Sequence, residues 1–134
     1  MKTYNLLISH SWKYTDAYEK ISNMLKSRAY FDFKNYSVPK TNPILGAKTD
    51  KALYEAIENK MRSCSAVIIL AGVYSSYSKW IKAEIEIANK LSKPIIAIEP
   101  FGSEKTSAIV KKNAAVIVKW NTESIVKAIR STCS

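Results

Sequence analysis

The sequence predicts one α/β domain over residues 1–134, in which a five-stranded parallel sheet carries helices on both faces. The chain has 134 residues and is 47% apolar, which suits a single core. Short runs rich in β-branched residues alternate with longer amphipathic stretches, a pattern typical of parallel α/β sheets. Residues 66–70 are apolar throughout, as expected of a central strand that is covered on both faces.

The elements follow one another in strict alternation. The predicted strands are residues 4–8, 30–34, 66–71, 94–99 and 115–119. Pro94 begins the fourth, where a missing N–H donor is tolerated. The predicted helices are residues 15–26, 50–63, 79–91, 106–112 and 122–131, each preceded by turn or capping residues. Ser78 is a suitable N-cap for the third helix. The connection 38–48 is long for so small a domain, and long connections are often functional.

The composition excludes several classes of protein. The net charge of +10 suits an anionic partner, but the basic residues are spread without a basic helix or an RNA-binding motif, so nucleic-acid binding is not expected. The first apolar run is too short for a signal peptide or a membrane span, so we expect a cytoplasmic protein without membrane contact. Cys64 and Cys133 fit neither a disulfide framework nor a zinc pattern, and we expect a core position and a frayed tail, respectively.

Polar and aromatic residues collect after the first three predicted strands, where open parallel sheets bind ligands. They lie in residues 9–12, 35–39 and 72–77. The three glycines form neither the dinucleotide fingerprint nor the P-loop. The acidic residues by which a receiver domain holds magnesium are missing from these positions. His10 has no cysteine or second histidine close by, so no metal site is expected.

Glu84 is the one charged residue on the apolar arc of the third predicted helix. At 100° per residue the arc consists of Ile87, Trp80, Leu91, Glu84, Ala88, Ile81 and Ile85. Burying a carboxylate is costly unless it is paired or hydrogen-bonded. Glu84 is therefore either a structural carboxylate, paired with a lysine or capping a loop, or a catalytic one that faces a solvent-accessible hollow.

One carboxylate is sufficient for one particular reaction. Ordinary glycoside hydrolysis needs a second carboxyl group to protonate the leaving group. Nicotinamide instead leaves NAD+ as a neutral molecule from a cationic precursor, so the enzyme has mainly to stabilise an oxocarbenium-like ribose. A helix glutamate can do this by its charge and by hydrogen bonds to the ribose hydroxyls. Trp80 lies one turn earlier and would supply an aromatic wall, although an inward tryptophan is more often part of the core.

Three segments resemble TIR domains. Residues 4–11 look like the first TIR box, and Ser78, Trp80 and Glu84 form a segment similar to the TIR pattern Ser-x-Trp-x-x-x-Glu. Residues 30–39 are similar to the bacterial TIR-like branch that includes ThsB of Thoeris anti-phage systems.

The resemblance implies a flavodoxin-like sheet and cleavage of NAD+ by Glu84, with NAD+ as the substrate and no cofactor. It also implies a substrate site to which Ser9, His10, Ser11 and Tyr36 contribute beside Trp80. The product would be a cyclic or otherwise modified ADP-ribose, read by a separate effector protein. Homo-oligomers that form through TIR-like surfaces are a further implication.

Two other functions remain open at the level of sequence. Asn5 stands where many TIR domains have an acidic residue, and the loop after Pro39 lacks the usual adjacent glycine. The unusual loop, together with the absence of a second candidate catalytic group, suits a non-catalytic TIR-like module that acts through assembly. A nucleoside deoxyribosyltransferase-like enzyme would also use a glutamate at an N-glycosidic bond on a related sheet.

Overall fold

The computed structural model describes residues 2–9, 15–36, 50–70, 79–99 and 108–133. The strands in these ranges are β1 (Thr3–Ile8), β2 (Asp32–Asn35), β3 (Ala66–Leu70), β4 (Ile95–Glu99) and β5 (Val116–Lys119). The helices are α1 (Thr15–Lys26), α2 (Asp50–Met61), α3 (Lys79–Lys90), α4 (Ala108–Asn113) and α5 (Thr122–Thr132). The predicted fold class is confirmed.

The five strands form one parallel sheet in the order β2-β1-β3-β4-β5. Leu6 on β1 aligns with Asn35 on β2 and with Ala66 on β3. The strand order therefore reverses between β1 and β3, as in flavodoxin-like folds, and ligands of such sheets bind beyond the carboxyl ends at that reversal. The carboxyl ends of β1 and β3 lie side by side at this point.

The core consists of two layers because side chains alternate between the two faces of each strand. α1 and α5 cover one face, where Leu6, Ile8 and Ile68 pack against Ile21 and Ile125. The other face is covered by α2, α3 and α4, and its buried residues are Leu7, Ile57, Met61, Val67, Ile69, Ile81, Ile85, Ile87, Ala88, Ile95, Ala97 and Val110, together with Cys64. We call this second side the α2/α3 layer.

Some predicted boundaries differ from the observed ones for local reasons. β2 begins at Asp32, two residues later than predicted, because Tyr30 has a positive φ of 58° in an exposed turn. α2 ends at Met61 because the N–H of Cys64 turns back to the Met61 carbonyl, at 2.9 Å. The expectation of a frayed tail is wrong for Cys133, which is partly buried and whose N–H donates to the Ile129 carbonyl at the end of α5.

Candidate functional site

Glu84 lies on the buried side of α3, as the helical pattern predicts. Ile81, Ile87 and Ala88 on the same side have no exposed surface. Opposite them, Lys82, Glu86, Asn89 and Lys90 are exposed. Glu84 is 1% exposed and is one of four buried polar or charged residues in the described ranges. The inward direction of this carboxylate is confirmed.

The burial of Glu84 is deeper than the sequence led us to expect. We predicted a carboxylate that faces a solvent-accessible hollow, but only 1% of the Glu84 surface is accessible. The residue does have an interaction partner, although within the described ranges its buried Oε1 atom accepts no hydrogen bond. Its apolar neighbours along α3 are Ile81, Ile85, Ile87 and Ala88, which form the buried side of this helix. A substrate can reach this carboxylate only after its covering is displaced.

Ser9 follows β1 at the carboxyl end of the sheet. Its N–H donates to the Ile68 carbonyl at 2.9 Å, so the ladder between β1 and β3 continues through this residue. Leu7 faces the α2/α3 layer, and alternation along the strand places Ser9 on the same side. The residue is fully buried. Ser9 therefore belongs to the layer that contains Glu84, at the edge where ligands of this fold bind.

Tyr36 follows β2 at the same edge. Its N–H donates to the Leu6 carbonyl at 2.8 Å, and its half-buried side chain packs against the α2/α3 layer. The structure thus places Ser9, Tyr36 and Glu84 on one side of the sheet, although the three residues belong to separate segments of the sequence.

The other predicted site residues lie partly or wholly outside the described residues. Trp80 is in the first turn of α3, one turn before Glu84, and its side chain is not among those described. His10, Ser11, the proposed N-cap Ser78 and the connection 38–48 are also outside the described ranges. Their roles stay predictions.

The described ranges contain no group of three or more His, Cys, Asp or Glu side chains that could hold a metal ion. None of the helices resolved there is long and apolar enough to cross a membrane. Among the described residues toward the carboxyl edge, Ser9 and Tyr36 supply hydroxyl groups and Glu84 supplies a buried carboxylate. Such a group can stabilise a developing positive charge strongly, because little water competes with it.

The sequence did not reveal Glu58, a second carboxylate on this side. Its Oε1 accepts a hydrogen bond from Nζ of Lys90 at 2.9 Å, and its Oε2 lies 3.1 Å from Nη2 of Arg62. The hydrogen bond from Lys90 lowers the pKa of Glu58 below its usual value, although burial opposes this. Arg62 is four residues after Glu58, a spacing that indicates a helical ion pair. The contact with Lys90 has no such sequence signal.

Comparison with known protein families gives one match. The family model of the TIR-like domain of the Thoeris protein ThsB matches residues 7–105, about three quarters of the chain. The matched segment contains Ser9, Tyr36, Trp80 and Glu84. No curated protein matches the chain.

Proposed function

Because this chain belongs to the TIR-like domain family of the Thoeris protein ThsB, with a role in Thoeris anti-phage signalling, we propose that it cleaves NAD+ to make a nucleotide signal. The observation that carries the proposal is the position of Glu84. This carboxylate lies inside the apolar face of α3, on the side of the sheet that also bears Ser9 and Tyr36. The resemblance of the segment from Ser78 to Glu84 to the TIR pattern supports a catalytic role for this glutamate.

The proposed reaction begins with rupture of the bond between nicotinamide and the ribose C1′. The bonding electron pair leaves with nicotinamide, which becomes neutral, and positive charge develops on the ribose. Glu84 stabilises that charge and orients the ribose hydroxyls. Capture of C1′ by water gives ADP-ribose, and capture by a nucleophile of the same molecule gives a cyclic product. A separate effector protein then recognises the product.

Burial of Glu84 gives the proposal a second part, which is an inactive resting state. A carboxylate that is 1% exposed cannot contact a ribose. We infer that an activating event, such as phage infection or assembly into a homo-oligomer, uncovers the carboxylate. Sequestering the site until activation would also prevent consumption of NAD+ in uninfected cells.

The decisive experiment is mass spectrometry of NAD+ products from phage-challenged cells that express wild type or Glu84→Gln. We expect the substitution to lower nicotinamide release and product formation by about 100-fold or more, because it removes the charge while retaining the shape. The matched control is Glu86→Gln, which removes a carboxylate from the exposed side of the same helix. This control should behave as wild type.

Stability measurements complete the experiment. If Glu84 were a structural carboxylate, breaking its interactions would cost about 3–5 kcal/mol of unfolding free energy, the usual cost of disrupting a buried ion pair. Urea unfolding of Glu84→Gln therefore measures how much of any loss of activity comes from loss of folded protein. Equal rates of nicotinamide release by wild type and Glu84→Gln would refute the assignment.

The burial of Glu84 also favours a second candidate, a non-catalytic TIR-like module that acts by assembly. Such a module would give no NAD+ product in infected cells. Its anti-phage protection would persist in Glu84→Gln, provided that the variant folds. The same set of strains therefore separates the two functions.

A further inference from the structure

The helix that bears Glu84 is fastened to its neighbours at the end away from Glu84. Lys90, in the last turn of α3, donates from Nζ to Oε1 of Glu58 on α2 at 2.9 Å. Asn89 donates from Nδ2 to Oδ1 of Asn113 on α4, at 3.0 Å. These two contacts join α3 to a helix on either side, and both arise from consecutive residues.

Glu58 is well suited to hold one orientation of α3. The residue is 7% exposed, so its carboxylate sits in the seam between the two helices and not on a solvated surface. It accepts from Lys90 across the seam and from Arg62, the residue that follows α2. Nζ of Lys90 also lies 5.7 Å from the centre of the Tyr54 ring, another residue of α2. The lysine is thus held by a carboxylate and an aromatic ring of the same helix.

The contact between Lys90 and Glu58 is better suited to fixing the orientation of α3 than to stabilising the fold. The Lys90 side chain is 57% exposed, and ion pairs with an exposed partner contribute little to the free energy of folding. A helix moves as a rigid unit, however, so rotation or sliding at Lys90 displaces Glu84, about 9 Å away along the axis. A misplacement of about 1 Å can cost about 100-fold in rate at a catalytic group.

We propose that Glu58 and Lys90 are positioning residues, which clamp α3 to α2 and so set the place of the Glu84 carboxylate relative to the substrate. The inference rests on the proposed function. Loss of the clamp should act mainly on kcat, because neither residue touches the substrate and the contacts that bind NAD+ come from other segments.

The test compares three variants of the full chain. Lys90→Met removes the charge that crosses the seam and keeps an unbranched stem beside Tyr54. Arg62→Met removes the other partner of the same carboxylate, but Arg62 directly follows α2, so that pair does not join two helices. Lys90→Arg restores a cation. Protein activated in phage-challenged cells is assayed for NAD+ cleavage well below its unfolding temperature.

We expect Lys90→Met to lower kcat by about tenfold with less than about a twofold change in KM. Arg62→Met should stay close to wild type, and Lys90→Arg should recover most of the loss. A merely structural role would reduce the amount of folded protein without this split between kcat and KM. A kcat for Lys90→Met equal to that of Arg62→Met would overturn the proposal.

Hydrogen exchange separates failure of the clamp from failure of the proposed function. Amides of residues 79–88 should exchange at least about threefold faster in Lys90→Met than in Arg62→Met, since the first two turns of α3 gain freedom. Unchanged exchange there would overturn the clamp, whether or not the chain cleaves NAD+. If Lys90→Met exchanges faster but the wild type does not cleave NAD+, the clamp is supported and only the proposed NAD+ cleavage is contradicted.

Discussion

At the scale of single residues, Glu84 is both buried and charged, and burying a charged group costs folding free energy. A leucine or methionine at this point of α3 would continue the apolar side made by Ile81, Ile85 and Ala88. Natural proteins keep such departures from good packing mainly where function needs them. The neighbouring Glu86 involves no such cost because it is exposed. The contrast between two glutamates of one helix is the strongest residue-level argument for catalysis.

Cys64 offers a prediction about pH. The residue is 2% exposed, and burial raises the pKa of its thiol to about 12 against the opposing effect of Lys93 and Lys60. An unfolded chain ionises the same thiol near the ordinary value of 9.0. Between these two pH values the unfolded state has lost a proton that the folded state retains. The contribution of Cys64 to folding stability should therefore be constant well below pH 9 and fall above it, by about 1.4 kcal/mol per pH unit.

Urea unfolding of wild type and Cys64→Ala at pH 8 and pH 10 measures this contribution. The variant has lower stability at both pH values because a cavity replaces the thiol. Between pH 8 and pH 10, the variant should lose less free energy of unfolding than wild type does, since the other groups titrate alike in both proteins. If wild type and Cys64→Ala lost the same free energy of unfolding, the thiol would ionise as readily in the folded protein as in the unfolded one.

At the scale of elements, α5 supplies a prediction about capping. Oδ1 of Asn121 accepts from the N–H of Ser124 at 3.0 Å, which satisfies one of the free amides of the first turn. We expect Asn121→Ala to lower the free energy of unfolding by about 1 kcal/mol, and Asn121→Asp to retain most of it. Because α5 lies across the sheet from Glu84, NAD+ cleavage should be unchanged. Equal stability of all three proteins in urea would contradict the capping role.

The elements themselves were largely predictable from the sequence. α1 was predicted over its observed range, because the spacing of Ile21 and Leu25 and a preceding turn mark its inward side and its start. Helix ends and short edge strands are weaker signals. The start of β2 depends on the backbone of Tyr30, which an ordinary tyrosine in an apolar run does not reveal.

The site was predictable in part. Alternation and strand ends place Ser9 and Tyr36 at one edge, and helical spacing turns Glu84 inward. The sequence could not show how far Glu84 is covered, since that depends on neighbouring segments. It also could not pair Lys90 with Glu58, because the two are 32 residues apart and meet only through the lateral packing of α2 and α3.

At the scale of the whole molecule, topology explains why distant segments form one site. The reversal of strand order between β1 and β3 places the carboxyl ends of those two strands side by side. α3 follows β3 and returns along the sheet, so its first turns, with Trp80 and Glu84, lie near the same edge. The described residues of the proposed site, Ser9, Tyr36 and Glu84, therefore lie toward the carboxyl edge.

The net charge of +10 extends over the whole molecule and should speed the approach of NAD+, whose diphosphate is anionic. Lys34 is exposed, lies in β2 at the carboxyl edge and points to the α2/α3 layer by alternation with Phe33. Lys26 is also exposed but ends α1, near the amino edge. Lys34→Glu should therefore lower kcat/KM a few-fold at low salt, and Lys26→Glu should lower it less.

The two variants change the net charge equally, so the difference between them isolates the position of the charge. Both effects should shrink in 0.3 M salt, because exposed charges more than about 6 Å apart are then largely screened from each other. The kcat at saturating NAD+ should not change, because screening acts on encounter and not on bond cleavage. Equal kcat/KM values for the two variants at low salt would show that substrate does not approach along the carboxyl edge beside Tyr36.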